Sequence, residues 1–437
     1  MSDFTSRHET VDGLFKKLFP ICRSLTGAGN RQTFDIISEI APYDVHELPS
    51  GTQVYDWTVP DEWSIRDAYI ADQSGKRIID FAESNLHVAS YSMPIDATIT
   101  LDELSEHLHS LPDQPTAIPY RTLYYKRDWA FCIREDQRAL IPADQPLHVH
   151  IDSSLAPGSM TYGDKLLPGR SGQEFLFSSY CCHPSLGNDN LSGIVLLTML
   201  LKELSSRQLR HSYRFVLVPE TIGTIAYLHE HESAMRDLAG AYVLTGVAGR
   251  GQYAYKQSLQ SNALVDRVAR RVMRRNSIDF AERPFDPHGS DERQYSSPGF
   301  RIPTGIITRD GYYDYPEYHT SLDDLDFISA DALLQTLDLY LEIVDELEAR
   351  KPLRSLAPHG EPHLGPRGLY PTVGGAMHTS GSTSVADELD AILWVLTLAD
   401  GQNDAADISE RSGIAREVID PVVARLIEGE LIEEASE

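Results

Sequence analysis

The feature that most constrains this chain is the alternation of apolar strands with long helices between about residues 145 and 350. Several strands are apolar at nearly every position, which is typical of parallel strands buried on both faces of a sheet. Strands and helices in alternation predict an α/β domain with a mostly parallel sheet and helices on both faces. The predicted strands are LHVHID, EFLFSSY, YRFVLVP, GAYVLTG and TGIITR, and the predicted helices include NLSGIVLLTMLLKEL and ADALLQTLDLYLEIVDELEAR.

Two further segments interrupt and follow this α/β domain. Residues 55–140 hold short β-branched and aromatic runs separated by turn signals such as QSGK, which predicts a small β-rich inserted domain. The α/β domain is therefore assigned to 1–54 and 141–350. The Pro-, Gly- and Ser-rich stretch 351–385 is predicted to be a linker, and 386–437 has the texture of a winged-helix-like domain.

Composition narrows the class of protein. No run approaches the roughly 18–20 apolar residues that a membrane span needs, and the N-terminal MSDFTSRHET lacks an apolar signal segment. The four cysteines, Cys22, Cys132, Cys181 and Cys182, lack the spacing of a disulfide framework or of a thiolate metal site. We therefore expect a cytoplasmic protein that does not act on membranes.

Charge argues against nucleic acid as a partner. The formal net charge is −27, which repels a polyanion. The winged-helix-like segment 386–437 is itself acidic, with fourteen Asp and Glu against three Arg and no Lys. We expect this segment to mediate protein interaction or oligomerisation rather than DNA binding, and a homo-oligomer stays open.

Loops after the predicted strands carry side chains suited to metal binding. Ligands of open α/β sheets bind at the carboxyl ends of the strands. The segment SSYCCHPSLGNDNLSG offers His183 and, six residues on, Asp189, and DYPEYHTSLDDLDFI offers His319 just before a helix start. Imidazole and carboxylate are natural ligands of zinc. Each side chain could instead cap the end of a strand or helix.

Two more loops carry charged residues in the same setting. Glu220 follows the apolar strand YRFVLVP directly, which indicates a cleft where the carboxylate acts as a general base or a metal ligand. The alternative is a carboxylate that stabilises a helix N-terminus. The loop PHGSDERQYSSPG crowds Asp291, Glu292 and Arg293 between Pro and Gly, which predicts either a substrate-binding loop or an exposed, salt-bridged one.

Taken together, these segments resemble the zinc aminopeptidase clan, which includes the di-zinc aminopeptidases and the glutaminyl cyclases. GNDNLSG is similar to the clan's signature around its bridging aspartate, PETIG to its Glu-Glu element, GSDERQYSSPGFRIPTG to its Ser-Asp substrate-pocket segment, and EYHTSLDDLD to its final metal-histidine motif. The resemblance implies a zinc aminopeptidase-like fold with His183, Asp189 and His319 as metal ligands. It also implies a general base at Glu220.

The chain as a whole resembles a narrower group of bacterial aminopeptidase-like proteins. These carry an inserted domain and a C-terminal winged helix, and they occur among polysaccharide and secondary-metabolite biosynthesis genes. The resemblance is carried by VYDWTVPDEWSIRDAYI, SNLHVASYSMPID and LHSLPDQPTAIPY in the inserted segment.

Two ligands of the di-zinc pattern are absent from this chain. Glu220 stands between Pro219 and Thr221 where the clan has two consecutive glutamates, and Thr245 and Gly246 follow a strand where the clan has a second metal aspartate. The resemblance therefore implies one zinc ion rather than two.

These features predict a zinc-dependent peptide or amide hydrolase that acts on a small peptide or an amino-acid conjugate. Asp291, Glu292 or Arg293 would hold the substrate terminus, since carboxylates suit an amine and guanidinium suits a carboxylate. Two alternatives stay open. One is a one-zinc acyltransferase or cyclase on the same scaffold, and the other is a degenerate peptidase that serves as a binding or regulatory protein.

Overall fold

The computed structural model describes residues 2–311, 314–369 and 385–435. The chain forms two units, Met1–Val344 and Asp345–Glu437. The helices are α1 (Ser2–Leu18), α2 (Ala28–Ser38), α3 (Leu101–Ser105), α4 (Glu135–Arg138), α5 (Ser192–Ser205), α6 (Ile222–Glu230), α7 (Glu232–Arg236), α8 (Leu264–Arg275), α9 (Glu292–Tyr295), α10 (Ala330–Ala349), α11 (Val385–Leu398), α12 (Ala405–Ser412) and α13 (Arg416–Glu428). The strands are β1 (Asp44–Pro49), β2 (Gln53–Val54), β3 (Trp57–Thr58), β4 (Glu62–Ala71), β5 (Arg77–Asp80), β6 (Ile95–Ile99), β7 (Leu108–His109), β8 (Phe131–Cys132), β9 (Leu147–Ala156), β10 (Ser159–Leu167), β11 (Glu174–Tyr180), β12 (Ser212–Val218), β13 (Gly240–Leu244), β14 (Tyr253–Lys256), β15 (Phe280–Arg283), β16 (Thr304–Arg309), β17 (Leu353–Ser355) and β18 (Ile432–Glu434).

The first unit is built around a large sheet whose described strands follow the order β1-β10-β12-β11-β13-β16-β14-β15. Its centre, β12-β11-β13-β16, is parallel, whereas β1 with β10, β10 with β12, and β14 with β16 pair antiparallel. Strands β11, β12 and β13 are buried at consecutive positions, so both faces of the sheet are covered. The predicted α/β fold is confirmed, with antiparallel pairings added toward both edges.

The inserted segment forms its own antiparallel sheet in the order β5-β4-β9-β6. In β9 buried apolar residues alternate with half-buried polar ones, which is the pattern of a sheet with one solvated face. The prediction that LHVHID belongs to the α/β sheet is therefore wrong. The insert sheet runs past the boundary predicted at residue 140 and continues to Ala156, after which the chain enters the central sheet at β10.

The second unit is a small helical domain. Helices α11, α12 and α13 share one apolar core, and β17 pairs antiparallel with β18. Strand β17 lies inside the stretch predicted to be a linker, and that part of the prediction is wrong because Leu353 is buried in the core of this unit. Residues 370–384 of the predicted linker lie outside the described residues.

Among the described residues, no helix combines the length and the apolar character that crossing a bilayer requires.

Candidate metal centre

Three loops of the first unit bring His183, Asp189 and His319 to one point. His183 follows the end of β11, Asp189 lies in the turn Gly187–Leu191 that precedes α5, and His319 lies between β16 and α10. Asp189 Oδ2 is 2.8 Å from His319 Nε2 and 4.0 Å from His183 Nε2. The structure therefore places the three predicted metal ligands in one cluster.

The turn that carries Asp189 is fixed by buried polar groups. The carboxylate of Asp323 accepts the amide N–H of Asn188 on Oδ1, at 2.6 Å, and the amide N–H of Asp189 on Oδ2, at 2.9 Å. The Asn188 side-chain oxygen in turn accepts the amides of Ala248 and Gly249. Burial raises the pKa of Asp323 to about 8. The contacts of Asp323 therefore hold the turn that carries Asp189.

The close approach of this turn to its surroundings requires glycine at its first position. A Cβ atom on Gly187 would lie 2.6 Å from the carbonyl oxygen of Asp324. Since the obstacle is backbone, a side chain at this position would displace the turn and with it the Asp189 carboxylate.

The second oxygen of Asp189 is already engaged. The Tyr180 hydroxyl donates a hydrogen bond to Asp189 Oδ1, and it lies 2.8 Å from Thr245 Oγ1. Thr245 is the residue that stands where the clan carries its second metal aspartate. One face of the Asp189 carboxylate is thus occupied by a phenol, and the other face points to the two histidines.

Burial controls the charges of the cluster. Removal from water lowers the pKa of His183 to about 4, so this imidazole is neutral at neutral pH and can act as a ligand. Burial by itself raises the pKa of Asp189, but the neighbouring His183 and His319 and the Tyr180 hydroxyl outweigh it and lower that pKa to about 2. The carboxylate is therefore ionised and the arrangement suits a cation.

The donor set fits a zinc ion. Asp189 Oδ2 is buried, and no N–H or O–H of the described residues makes a hydrogen bond of acceptable geometry to it. A buried carboxylate oxygen left without a hydrogen bond is costly, and a cation bound between it and the two imidazoles would satisfy it. Two His and one Asp are also a common three-residue ligand set for zinc with an open fourth position.

Glu220 lies beside this cluster, at the end of β12. Its Oε1 accepts a hydrogen bond of 2.8 Å from the Ser290 hydroxyl. Burial raises its pKa well above the ordinary value, and the carboxylates of Asp291 and Asp189 add to the effect. Thr221, which follows, adopts φ 64° and ψ −77°, a strained γ-turn closed by a hydrogen bond of 2.8 Å from the Ile222 amide to the Glu220 carbonyl.

The predicted substrate loop has a different arrangement from the one expected. Asp291 and Glu292 are buried, at 1 % and 0 % exposure. Asp291 Oδ1 accepts the Thr221 amide, and burial raises the pKa of Asp291 to about 7. Glu292 pairs with Lys256 at 2.8 Å. Arg293 is exposed and lies 3.4 Å from Thr221 Oγ1.

A cavity of about 220 Å³ opens beside the cluster. His183, Glu220 and His319 form part of its wall, while Asp291, Glu292 and Arg293 are not among its described lining residues. Asp291 is bonded to the Thr221 amide and Glu292 to Lys256, and their role in holding a substrate terminus stays a prediction. Aromatic side chains of the inserted segment form another part of the wall, namely Trp57, Tyr120, Tyr124 and Tyr125.

The insert is joined to the His319 loop by backbone hydrogen bonds. The Tyr120 amide donates to the His319 carbonyl at 2.8 Å, and the Ser321 amide donates to the Ile118 carbonyl at 2.8 Å. The Tyr120 ring lies 5.0 Å from the ring of His183 and 5.3 Å from that of His319. The insert therefore supplies a wall of the site and also supports one of its histidines.

Sequence reasoning missed several of these contributors. Tyr180 was missed because it is the last residue of an apolar strand, where a tyrosine is usually part of the core. Tyr120 was missed because it lies in the insert, far from the metal ligands in the sequence. Arg23 was missed too, although it is fully buried and donates from Nε to the His183 carbonyl. The available signal for Arg23 was its position as a charged residue next to Cys22 in an otherwise apolar segment.

Family models match both parts of the chain. The model described as "Domain of unknown function (DUF4910)" matches residues 13–350. This chain belongs to the DUF4910 family. A second model, described as "winged helix-turn-helix", matches residues 351–434 of the DUF4910 chain, which confirms the predicted C-terminal winged helix.

Relatives extend over nearly the full length of this DUF4910 protein. It is 42 % identical over 404 residues to a Clostridium acetobutylicum protein provisionally named a polysaccharide biosynthesis protein with an aminopeptidase-like domain, covering 92 % of this chain and 91 % of that one. A crystal structure from Clostridium acetobutylicum, provisionally titled a peptidase, is similar with a TM-score of 0.83 and 39 % identity over 99 % of both chains.

More distant structures share the fold. The zinc aminopeptidase BSAP from Bacillus subtilis superposes with a TM-score of 0.56 at 16 % identity, covering 79 % of this chain and 95 % of that one. The predicted aminopeptidase-like scaffold of the DUF4910 chain is thus confirmed as a fold.

Proposed function

We propose that this chain is a zinc-dependent amide or peptide hydrolase. The observation that carries the proposal is the convergence of His183, Asp189 and His319 on a cavity that also contains Glu220. Metal ligands, a carboxylate base and a substrate cavity are the parts that metal-assisted hydrolysis requires. A relative named for its aminopeptidase-like domain supports the same reaction class.

We expect one zinc ion at this centre. Asp189 Oδ1, the oxygen that would face a second ion, accepts the Tyr180 hydroxyl instead. Thr245 hydrogen-bonds that same hydroxyl and offers no carboxylate. These contacts support a centre with three protein ligands and one open position.

The chemistry divides between the ion and Glu220. When bound, zinc supplies a Lewis acid that polarises a carbonyl group and lowers the pKa of water. Glu220, whose ionised form a cation bound beside it would favour, would take up the proton of the attacking water and deliver it to the leaving amine. Ser290 holds Glu220 Oε1, and the Asp291 carboxylate holds the amide of Thr221, so the base keeps a fixed direction.

The cavity suggests the class of substrate. Its volume of about 220 Å³ accommodates a small molecule or the end of a peptide rather than a folded protein. The rings of Trp57 and Tyr125 pack edge to face at 6.0 Å, and they favour a flat or apolar group at the entrance. Arg293, beside Thr221, is the predicted residue that could still reach a substrate carboxylate. We therefore propose a small peptide or an amino-acid conjugate as substrate.

A second reaction is supported by the biosynthetic name of the Clostridium acetobutylicum relative. The same centre would catalyse acyl transfer if an amine replaced water as the nucleophile. The aromatic rings that line part of the cavity would displace water around a bound acyl group and favour such a reaction. Product analysis with and without an added amine distinguishes the two, because hydrolysis releases a free acid and transfer yields a new amide.

Metal analysis of the purified full chain tests the proposal. We expect the parent to bind one zinc equivalent per chain at this centre, and the zinc content to fall by one equivalent in His183→Ala and in His319→Ala. His46→Ala is the matched control, since His46 also pairs with a carboxylate, Asp164, at 3.0 Å but lies outside the cluster. A screen of aminoacyl amides and N-acyl amino acids then follows. A zinc content in both cluster variants equal to that of the parent, or no turnover of any amide by the zinc-loaded parent, would contradict the hydrolase.

A further inference from the structure

The solvated face of the insert sheet carries a second group of two histidines and one aspartate. His148 and His150 are two residues apart on β9, and β9 is flanked by β4 and β6. Side chains two residues apart on a strand point to the same face. Asp96 of β6 lies directly opposite His150 in the antiparallel register. Backbone pairing thus brings the three side chains together.

The two imidazoles share one carboxylate. His148 Nε2 lies 2.8 Å from Asp96 Oδ1, and His150 Nδ1 lies 3.4 Å from Asp96 Oδ2. One ligand atom from each of the three residues lies within 4.8 Å of the other two. A cation bonded to nitrogen and oxygen at about 2.0–2.2 Å fits among such atoms after small side-chain rotations.

Two observations set this group apart from an ordinary surface ion pair. The Nδ1 atom of His150 is buried and makes no hydrogen bond to any described residue. The ring of Tyr69, opposite His150 on β4, stacks on the His150 ring at 5.0 Å and meets the His148 ring edge-on at 5.4 Å. The imidazoles are therefore held in place, and a buried nitrogen faces the carboxylate without a hydrogen bond.

We propose that Asp96, His148 and His150 bind a divalent transition-metal ion such as Zn²⁺. Two nitrogen donors favour zinc, nickel or copper over the hard cations calcium and magnesium, which prefer oxygen ligands. Asp96 is largely exposed and both histidines are half-buried, so an ion enters directly from solvent. Three protein ligands leave a coordination position for water or for a side chain of another molecule.

Zinc titration of the full chain tests this site separately from the buried centre. The His183→Ala protein removes the buried centre and is dialysed against a zinc buffer, after which bound metal is measured by mass spectrometry. We expect about one zinc per chain, lost when His148→Ala or His150→Ala is added and retained when the matched control His46→Ala is added. If His183→Ala fails to fold, His148→Ala in the parent background should lower the zinc content by one equivalent.

Selectivity provides the second readout. Cobalt bound to the His183→Ala protein should give the visible absorption of a nitrogen- and oxygen-ligated ion, displaced by zinc but not by an excess of magnesium or calcium. Asp96→Asn should weaken zinc binding about tenfold or more. Zinc binding that persists in both His148→Ala and His150→Ala, or that magnesium abolishes, would overturn the proposal. Neither result depends on whether the chain hydrolyses an amide.

Discussion

The first unit places two histidines and one aspartate together twice, in surroundings that differ in most physical respects. In the cluster of His183, Asp189 and His319, the carboxylate is buried and its second oxygen is held by Tyr180. In the cluster of Asp96, His148 and His150, the carboxylate is largely exposed and stands on the solvated face of a sheet.

This difference in burial explains why two clusters with the same types of ligand need not have the same chemistry. Burial lowers the pKa of His183 to about 4, so water and protons compete little for the ligand atoms. The buried cluster also faces a cavity that contains Glu220, whereas the sheet cluster stands on the solvated face of the insert sheet. We therefore assign chemistry to the buried cluster and binding alone to the exposed one.

The largest expected effect concerns the base that accompanies only the buried cluster. Glu220→Gln should lower the turnover of an amide substrate by about 10²–10⁴-fold, because proton transfer is lost. The zinc content should stay near that of the parent, since the metal ligands are intact. Steady-state kinetics and metal analysis check both. Glu230→Gln, an exposed glutamate, serves as the control, and full activity in Glu220→Gln would remove Glu220 from the mechanism.

Replacement of the aspartate in each cluster should lower the free energy of unfolding by different amounts. In metal-free protein, Asp189→Ala removes the carboxylate that accepts the Tyr180 hydroxyl and opens a gap in the core, which should lower the free energy of unfolding by about 3 kcal/mol. Asp96→Ala breaks contacts in water and should have a much smaller effect. Urea unfolding of both variants provides the measurement, and equal losses would contradict the assigned difference in environment.

The free energy of unfolding should depend on pH through the protonation of His183. Its pKa falls from 6.5 in the unfolded chain to about 4 in the folded one, so between these values the unfolded chain binds more protons. The contribution of His183 to the stability of metal-free protein should therefore be full above pH 6.5 and be lost toward pH 4, about 3 kcal/mol in all. The raised pKa values of Asp323, Asp291 and Glu220 act in the opposite direction, so the difference between the profiles of the parent and His183→Gln isolates the contribution of His183. A difference profile that rises toward acid would contradict the sign.

The smallest expected effect concerns the tyrosines beside each cluster. Tyr180→Phe removes the hydroxyl that orients Asp189 and should weaken zinc binding at the buried centre by about 10–100-fold. Tyr69→Phe should leave zinc binding at the insert sheet unchanged, because Tyr69 contributes its ring rather than its hydroxyl. Competitive titration against a zinc chelator measures both. A zinc affinity that is unchanged in Tyr180→Phe, as in Tyr69→Phe, would show that Tyr180 acts by packing alone.

Much of the architecture could be predicted because it rests on local patterns. Consecutive apolar positions in EFLFSSY and YRFVLVP indicated strands buried on both faces, and these strands form the parallel centre of the sheet. The alternation of Leu147, Val149 and Ile151 with polar residues was also visible, yet the partner strands were not. Strand β9 was therefore assigned to the wrong sheet. The sequence of a strand indicates which side chains are buried on each face, but not which strands pair with it.

The candidate site was predictable to a similar extent. His183, Asp189 and His319 could be selected because motif resemblance acts on short segments, and the structure brings them together. The direction of Asp291 and Glu292 could not be predicted, since a polar loop reads alike whether its carboxylates face solvent or the interior. Burial against Thr221 and Lys256 decided the matter.

The sequence by itself determined the α/β class, the central parallel strands β11, β12, β13 and β16, and the kinds of ligand the site offers, because these depend on residue type and spacing. Only the tertiary structure decided which oxygen of Asp189 is open, which aromatic rings enclose the cavity, and that Asp96 lies opposite His150. Each of these depends on contacts between segments far apart in the chain. Such contacts are set by strand pairing and side-chain packing of the whole unit, and no local stretch of sequence encodes them.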